Sequence, residues 1–371
     1  STIISIQDPN GVCGLPAALS IFGQVATVNQ ENVGDVTIQL GGAGLPPVIT
    51  EMGGNYIFTP LEPSGNYSIT PEKDMNYLNG VTTYVLVLIA KHIIRTELLD
   101  SPYLIIAADA NHSQSVTTLD IVRLRALILH IDTELENNTS WRFVKSDFVF
   151  DNLANPFQTT FPETAEFENL TESAQADFVG IKIGDVNGSA APNNLLGTAS
   201  RNVDGTLVFN LENKKVKTGE TFRIDFKAKD FNAIGYQFAL EFKDLTLLDV
   251  ESKLENLNET NFGFTKVDEE ILTTSWNNSS AVKVADDEVL FSLKFYANAN
   301  TQLSDALILT NRYTTAEAYS DQSALFEVKL NYTGGTINAS AFVLYQNTPN
   351  PFKNETAIGF NLPEASTLSL K

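Results

Sequence analysis

Apolar and polar positions alternate along most of this chain, and one central stretch replaces that period of two with a helical one. Between residues 21 and 70 the runs Val36-Thr-Ile-Gln-Leu40, Tyr56-Ile-Phe58 and Tyr67-Ser-Ile69 alternate and are separated by Gly-Gly, Pro-Pro and Ser-Gly. Short alternating runs with this punctuation predict a small all-β sandwich. Residues 81–95 and 116–130 instead carry long apolar runs with basic residues to one side, and both predict helices. Alternation then returns in Thr206-Leu-Val-Phe209, Thr221-Phe-Arg-Ile-Asp-Phe226, Gly235-Tyr-Gln-Phe-Ala-Leu-Glu-Phe242 and Val289-Leu-Phe-Ser-Leu-Lys-Phe295. The expected fold class is mostly β and multi-domain, with two β-sandwiches flanking a small α-helical module. The expected boundaries are a lead-in over 1–20, a sandwich over 21–72, the helical module with an irregular insertion over 73–190, a linker over 191–205, a sandwich over 206–335, and a further segment over 336–371.

The helical stretches form an internal repeat. Each opens on the same tripeptide, Val81-Thr-Thr83 and Val116-Thr-Thr118, and each follows an Asp-x-Asn, Asp74-Met-Asn76 and Asp109-Ala-Asn111. A loop that wraps a hard cation draws oxygen ligands from its positions 1, 3, 5, 7, 9 and 12. Counted from Asp109, these are Asp109, Asn111, Ser113, Ser115 through its carbonyl, Thr117 through water, and Asp120. Gln114 replaces the usual turn glycine and Asp120 is shorter than the usual Glu, so weakened calcium binding is expected; the alternative is a metal-free capping loop. Counted from Asp74, with Asn76 third, the fifth and twelfth positions are Leu78 and Val85, which offer no side-chain oxygen. That copy reads as metal-free unless another segment helps. Asp185-Val-Asn187-Gly-Ser189 is a third half-loop, and Asp185 and Asn187 are expected to fold back to complete the first site.

Charge narrows the partners. With 24 Lys+Arg against 45 Asp+Glu the chain carries a formal charge of −21, which argues against nucleic acid and against anionic membrane surfaces. Cys13 stands alone, so an internal disulfide is excluded. The apolar run from Tyr84 to Ala90 stops at Lys91 and His92, so no transmembrane segment is expected. No signal peptide is visible at Ser1, and the chain is expected to be processed or part of something longer.

Four resemblances follow from quoted motifs. Ile21-Phe-Gly-Gln-Val25, Gly54-Asn-Tyr-Ile-Phe58 and Gly65-Asn-Tyr-Ser-Ile69 resemble carboxypeptidase-regulatory and collagen-adhesin B-type domains, which implies a prealbumin-like sandwich used as a spacer. The paired loop–helix repeat with Asp120 at position 12 and no entering helix resembles dockerin modules. That implies calcium-dependent folding and a cohesin partner. Lys217-Thr-Gly-Glu-Thr-Phe222, Gly235-Tyr-Gln-Phe238, Ser275-Trp276 and Asp287-Glu-Val-Leu-Phe-Ser-Leu293 resemble a cohesin-like jelly roll; Trp276 is expected to pack in the core or at an edge, the alternative being a ligand platform. Tyr345-Gln-Asn-Thr-Pro-Asn-Pro-Phe352 followed by Thr356-Ala-Ile-Gly-Phe360 resembles the start of a type A sorting domain. That implies export by the type IX secretion machinery, hence a secreted or cell-surface location in a Gram-negative Bacteroidetes bacterium.

No nucleophile elbow, Walker loop or dinucleotide fingerprint occurs, and pairs such as Asp286-Asp287 and Glu269-Glu270 read as surface charge. A zinc site would require His92, His112 and His130 to converge, which their placement does not favour. The expectation is a non-catalytic structural or assembly region of a large adhesin or extracellular appendage, rigidified by Ca2+. Its expected partners are further copies of itself, as a homo-oligomer, or another surface-protein chain. The apolar helix positions Leu86, Leu88, Ile93, Leu124 and Leu127 look permanently buried, which leans toward assembly. The competing expectations are a scaffold module that recruits a separate partner, and the accessory tail of a secreted polysaccharide-degrading enzyme.

Overall fold

A computed structural model of the chain describes residues 18–193 and 203–334, with the backbone of two short strands at 343–344 and 360–361. The N-terminal strands are β1 (Leu19–Ala26), β2 (Thr37–Gly41), β3 (Val48–Ile49), β4 (Asn55–Leu61) and β5 (Gly65–Glu72). Three helices follow: α1 (Thr83–Ile93), α2 (Pro102–Ala108) and α3 (Thr118–Ile128). The chain then returns to strand in β6 (Trp141–Lys145), β7 (Ala165–Leu170), β8 (Ala174–Gln175) and β9 (Phe178–Lys182).

The first sandwich is not confined to residues 21–72. One sheet runs β4-β1-β9-β6 with β8 also on β1, and the other runs β3-β2-β5-β7. β1 pairs in parallel with β8 and β9 (Ile21↔Ala174, Val25↔Phe178), and β7 pairs antiparallel with β5 (Tyr67↔Phe167). The stretch expected as an irregular part of the helical module therefore closes the sandwich. Strands β1 to β5 alone would leave the β1 and β5 edges open, with their backbone groups unpaired. The later strands cover those edges and place Trp141, Phe143, Leu170 and Phe178 in the core beside Ile21, Val25, Ile38 and Ile69. The helices form a separate core around Val85, Leu86, Ile89, Ile106, Leu124 and Leu127.

The second sandwich comprises β10 (Gly205–Glu212), β11 (Lys215–Val216), β12 (Thr221–Ala228), β13 (Asn232–Phe242), β14 (Leu245–Ser252), β15 (Phe262–Gly263), β16 (Ile271–Lys283) and β17 (Val289–Ala297). It continues through β18 (Thr301–Gln302), the single turn α4 (Leu303–Ala306), β19 (Leu307–Thr310), β20 (Glu317–Tyr319) and β21 (Leu325–Thr333). The hydrogen-bonded path runs β14-β17-β12-β10-β21-β20-β13-β16-β15. It curls so that its two halves face each other: Phe209 on β10 lies 5.4 Å from Phe238 on β13, and Phe238 lies 6.5 Å from Phe291 on β17. The alternation read from sequence supplies this core, one face of each strand at a time. Trp276 is fully buried, packs on Tyr236 and Phe231, and donates its indole N–H to the Glu255 carbonyl.

Beyond this, β22 (Val343–Leu344) pairs antiparallel with β23 (Phe360–Asn361). The Tyr345–Phe352 motif lies outside the described residues. Among the described residues no helix is long and apolar enough to cross a membrane.

Candidate metal loops and an internal docking face

The loop from Asp109 to Asp120 links α2 to α3. An entering helix, α2, precedes it, contrary to the expectation from sequence. Its start is encoded by Ser101, whose hydroxyl accepts from Tyr103 N, and by Pro102 in the first turn. Asp109 and Asp120 are both fully buried. Asp109 Oδ1 accepts from Ser113 N at 2.8 Å and Oδ2 from Gln114 N at 2.8 Å. Asn111 Oδ1 accepts from the same Ser113 N at 3.1 Å, and Ser113 Oγ lies 3.2 Å from the Ser115 carbonyl. Asp120 closes the loop, with Oδ1 accepting from Asn111 N and Oδ2 from Thr117 N and Oγ1. It is also the third residue of α3 and completes a capping box with Thr117. Gln114 adopts φ +63°, so it makes the turn at the position where glycine was expected.

This arrangement collects oxygens from Asp109, Asn111, Ser113, Ser115 and Asp120. Burial pushes the Asp120 carboxyl above the usual carboxylate range, the Asp109 charge adds to this, and the backbone N–H groups of Thr117 and Asn111 oppose it. Two buried carboxylates facing one another without a lysine or arginine partner among the described residues fit a hard divalent cation. Asp109, Asn111, Ser113, Ser115 and Asp120 would hold it, with Thr117 reaching it through water.

The loop expected from Asp74 does not form. Asp74 is exposed, and its Oδ1 accepts from Tyr77 Oη and Ser140 N; Asn76 is exposed in a turn at φ +56°. What stands before α1 is the segment from Asp185. Asp185 Oδ1 accepts from Ser189 N at 3.0 Å and Oδ2 from Ala190 N at 2.9 Å, and Ser189 Oγ lies 3.4 Å from the Gly80 carbonyl. Gly80 sits at φ +75°, and any Cβ there would lie 2.9 Å from Asp185 Cγ. The Asn79 side chain clasps Ala191 from both sides, accepting from its N–H and donating to its carbonyl. Gly184 N donates to the Ala107 carbonyl at 2.8 Å, so the lead-ins of the two loops are joined back to back. Asp185 and Asn187 thus do come to the start of α1, away from Asp74 and Asn76.

Lys182 is buried beside this segment. Its ammonium donates to the carbonyls of Tyr77 at 2.9 Å and Ile183 at 2.8 Å. Burial pushes it down to about 7, while the charges of Asp185 and Asp74 oppose the shift.

The helical unit docks on the second sandwich of the same chain, and the sandwich caps both helices. At the start of α1, Thr82 makes no capping bond; instead Thr83 N donates to Gln237 Oε1 at 2.6 Å, and Thr83 Oγ1 pairs with Ser275 Oγ at 2.6 Å. At the end of α3, the carbonyls of Ile128, Leu129 and His130 accept from the hydroxyls of Thr314, Thr273 and Thr265 at 2.7, 2.7 and 2.8 Å. Four of the unpaired groups that these two helix ends leave are therefore satisfied by side chains of the sandwich. Between these ends, Val87 packs on Ile234 and Tyr319, Tyr84 stacks on Tyr319 at 5.3 Å, and Arg125 donates to Asn277 Oδ1 at 2.6 Å. Contact is close enough to require glycine at Gly263, where a Cβ would lie 2.4 Å from the Leu129 carbonyl oxygen.

The docking residues were not the ones read as permanently buried. Leu86, Leu124 and Leu127 serve the helical core, with Leu88 and Ile93 packed at its margin. Docking uses Thr83, Tyr84, Val87, Arg125 and backbone carbonyls, and in the sequence the repeated Val-Thr-Thr tripeptide pointed to it. The three histidines do not form a zinc cluster: His92 Nδ1 accepts from Leu99 N, His112 is exposed in the loop, and the His130 ring packs on Tyr313 with Nε2 3.2 Å from its carbonyl. Among the described residues no group of three or more His, Cys, Asp or Glu is placed to hold a metal.

His130 gives this interface a pH dependence. Burial lowers its pKa below the usual histidine value of 6.5, the hydrogen bond to Tyr313 opposes this, and the Lys266 charge reinforces it. The fold favours neutral imidazole, so the unfolded chain takes up a proton first as pH falls below that value. Stability is expected to fall on acidification below 6.5 and to level off once the folded state protonates. Chemical denaturation of wild type and His130→Gln across that window tests this. Equal pH slopes in the two proteins would refute it.

No family model and no curated protein matches the chain. Among solved structures, a chain of the Coh-OlpC–Doc435 type I cohesin–dockerin complex from Clostridium thermocellum is similar over 36% of this chain and 94% of its own, at 13% identity and a TM-score of 0.29. A non-cellulosomal cohesin from Archaeoglobus fulgidus is similar over 34% and 88%, at 15% identity and a TM-score of 0.25. The type II cohesin A11 from Bacteroides cellulosolvens is similar over 35% and 97%, at 11% identity and a TM-score of 0.26.

Proposed function

We propose that this chain is a non-catalytic assembly region whose calcium-loop helices serve as a built-in ligand for its own cohesin-like sandwich. The observation that carries this reading is the reciprocal capping. Thr83 at one helix start and three carbonyls at another helix end are satisfied by Gln237, Thr314, Thr273 and Thr265. A face that waits for a foreign partner would leave such groups to water. Here the helix pair fills the face and joins first sandwich, helices and second sandwich into a stiff block. A calcium ion at Asp109 and Asp120 would fix the entry to α3, and through it the carbonyls that dock. A surface-exposed or secreted location suits this role, as does the export implied by the Tyr345–Phe352 motif.

Light scattering on the purified chain over a range of concentrations, in calcium and then in excess chelator, tests the proposal. The expected result is a monomer in both conditions, with calcium raising thermal stability. A mass that grows with concentration and collapses on chelation would show that helices and sandwich pair between chains, and would overturn internal docking.

A further inference from the structure

The segment from Asp185 and the start of α1 repeat the main hydrogen bonds of the Asp109 loop, although they are not continuous in sequence. Ser189 N and Ala190 N donate to the two oxygens of Asp185 as Ser113 N and Gln114 N donate to those of Asp109. Ser189 Oγ meets the Gly80 carbonyl as Ser113 Oγ meets that of Ser115. Gly188 and His112, each the fourth residue, both have positive φ, at +68° and +58°. Thr82 and Thr117 precede their helices with φ/ψ of −134°/171° and −136°/174°. The first six positions of this second loop are therefore 185–190, and the last six are 80–85.

The two loops differ in charge. The twelfth position is Asp120 in one and Val85 in the other. Thr117 Oγ1 reaches Asp120 Oδ2, whereas Thr82 Oγ1 is buried without a partner, in a residue 8% exposed. It is the atom a missing carboxylate would have met. The spliced loop also has a neighbour that the other lacks, Lys182, whose residue is 4% exposed and whose charge opposes that of Asp185. The spliced loop places one carboxylate, Asp185, near the buried ammonium of Lys182, whereas the Asp109 loop brings two carboxylates, Asp109 and Asp120, together. A divalent cation entering the spliced loop would meet a single carboxylate with a buried amine nearby, a weaker attraction than two converging carboxylates offer.

We propose that residues 185–190 and 80–85 form a spliced, metal-independent copy of the calcium loop, balanced by Lys182, so that the molecule takes one calcium ion and not two. This rests on the calcium reading of the Asp109 loop. The copy keeps the loop's shape through Asp185 and Asn79, and it staples the return of the chain at Ala190 to the first turn of α1 without needing an ion.

Calcium titration of the full chain by calorimetry, after removal of bound metal, is the test. One ion in the wild type, none in Asp120→Asn and one in Asp185→Asn are expected. Two ions in the wild type, or the loss of an ion in Asp185→Asn, would overturn the splice as metal-independent. No ion in the wild type would instead fail the calcium reading beneath it, so the two failures are distinguishable. The double variant Lys182→Met/Val85→Asp supplies the missing charge and is expected to take a second ion. A folded double variant that still takes one would overturn the charge-balance argument. If that variant does not fold, the counts for the wild type and Asp185→Asn decide.

Discussion

Val87→Asp is expected to detach the helical unit from the second sandwich while leaving the sandwich folded. Val87 is fully buried and packs on Ile234 and Tyr319, away from the leucines that hold the helices together. An aspartate there would place an uncompensated charge in a dry contact, a penalty on the order of 3–5 kcal/mol. The molecule can escape that penalty by opening the interface, because the helical core around Leu86, Leu124 and Leu127 does not include Val87. Amide hydrogen exchange should then accelerate at Thr83, whose N–H loses Gln237, and at the strand residues 234–238, with little change among Phe209, Phe226 and Phe291. Unchanged protection at Thr83 would mean that the contact contributes little to holding the block together.

The second large effect is at the loop. Asp120→Ala removes the capping-box residue of α3 and, on the proposed calcium reading, a cation ligand with it. In chelator it should cost about 1 kcal/mol, the usual loss for a helix cap. In calcium at a hundred times its dissociation constant, wild type gains about 2.7 kcal/mol by mass action, and the variant should gain none of it. Thermal melts of both proteins with and without calcium separate the two parts. A variant that still melts higher in calcium would place the ion elsewhere.

Much of this architecture is written locally in the chain and so could be read from it. The strands of the second sandwich show their alternation within eight or so residues, and the Asp109 loop carries all its oxygens within twelve consecutive positions. The splice was half visible. Asp185, Asn187 and Ser189 have the spacing of a half-loop, but Ser189 meets Gly80 across 109 residues, and no local pattern specifies such a join. The completion of the first sandwich was hidden for the same reason. Trp141–Lys145 is a five-residue strand, too short for its period to stand out, and its meaning depends on where β9 lies. The docking face was misread because the conspicuous leucines belong to the helices' own core. Beside Val87 and Tyr84, the groups that dock are hydroxyls, one glutamine, Arg125 and helix-end carbonyls, which hydrophobic periodicity does not register.

The parallel pairing of β1 with β9 also governs the order in which the chain can assemble. Ile21 and Val25 find their strand neighbours at Ala174 and Phe178, after all three helices have been made. Contacts so distant along the chain are slow to form, because a long loop must be closed before any of them stabilises the fold. As it emerges from the ribosome, the N-terminal half therefore remains without a finished core until β9 exists. The helical core waits for the same segment, because Val144, Ile181 and Ile183 pack in it beside Leu86 and Leu124. The first sandwich, first in sequence, is completed only by strands that follow the helices interrupting it.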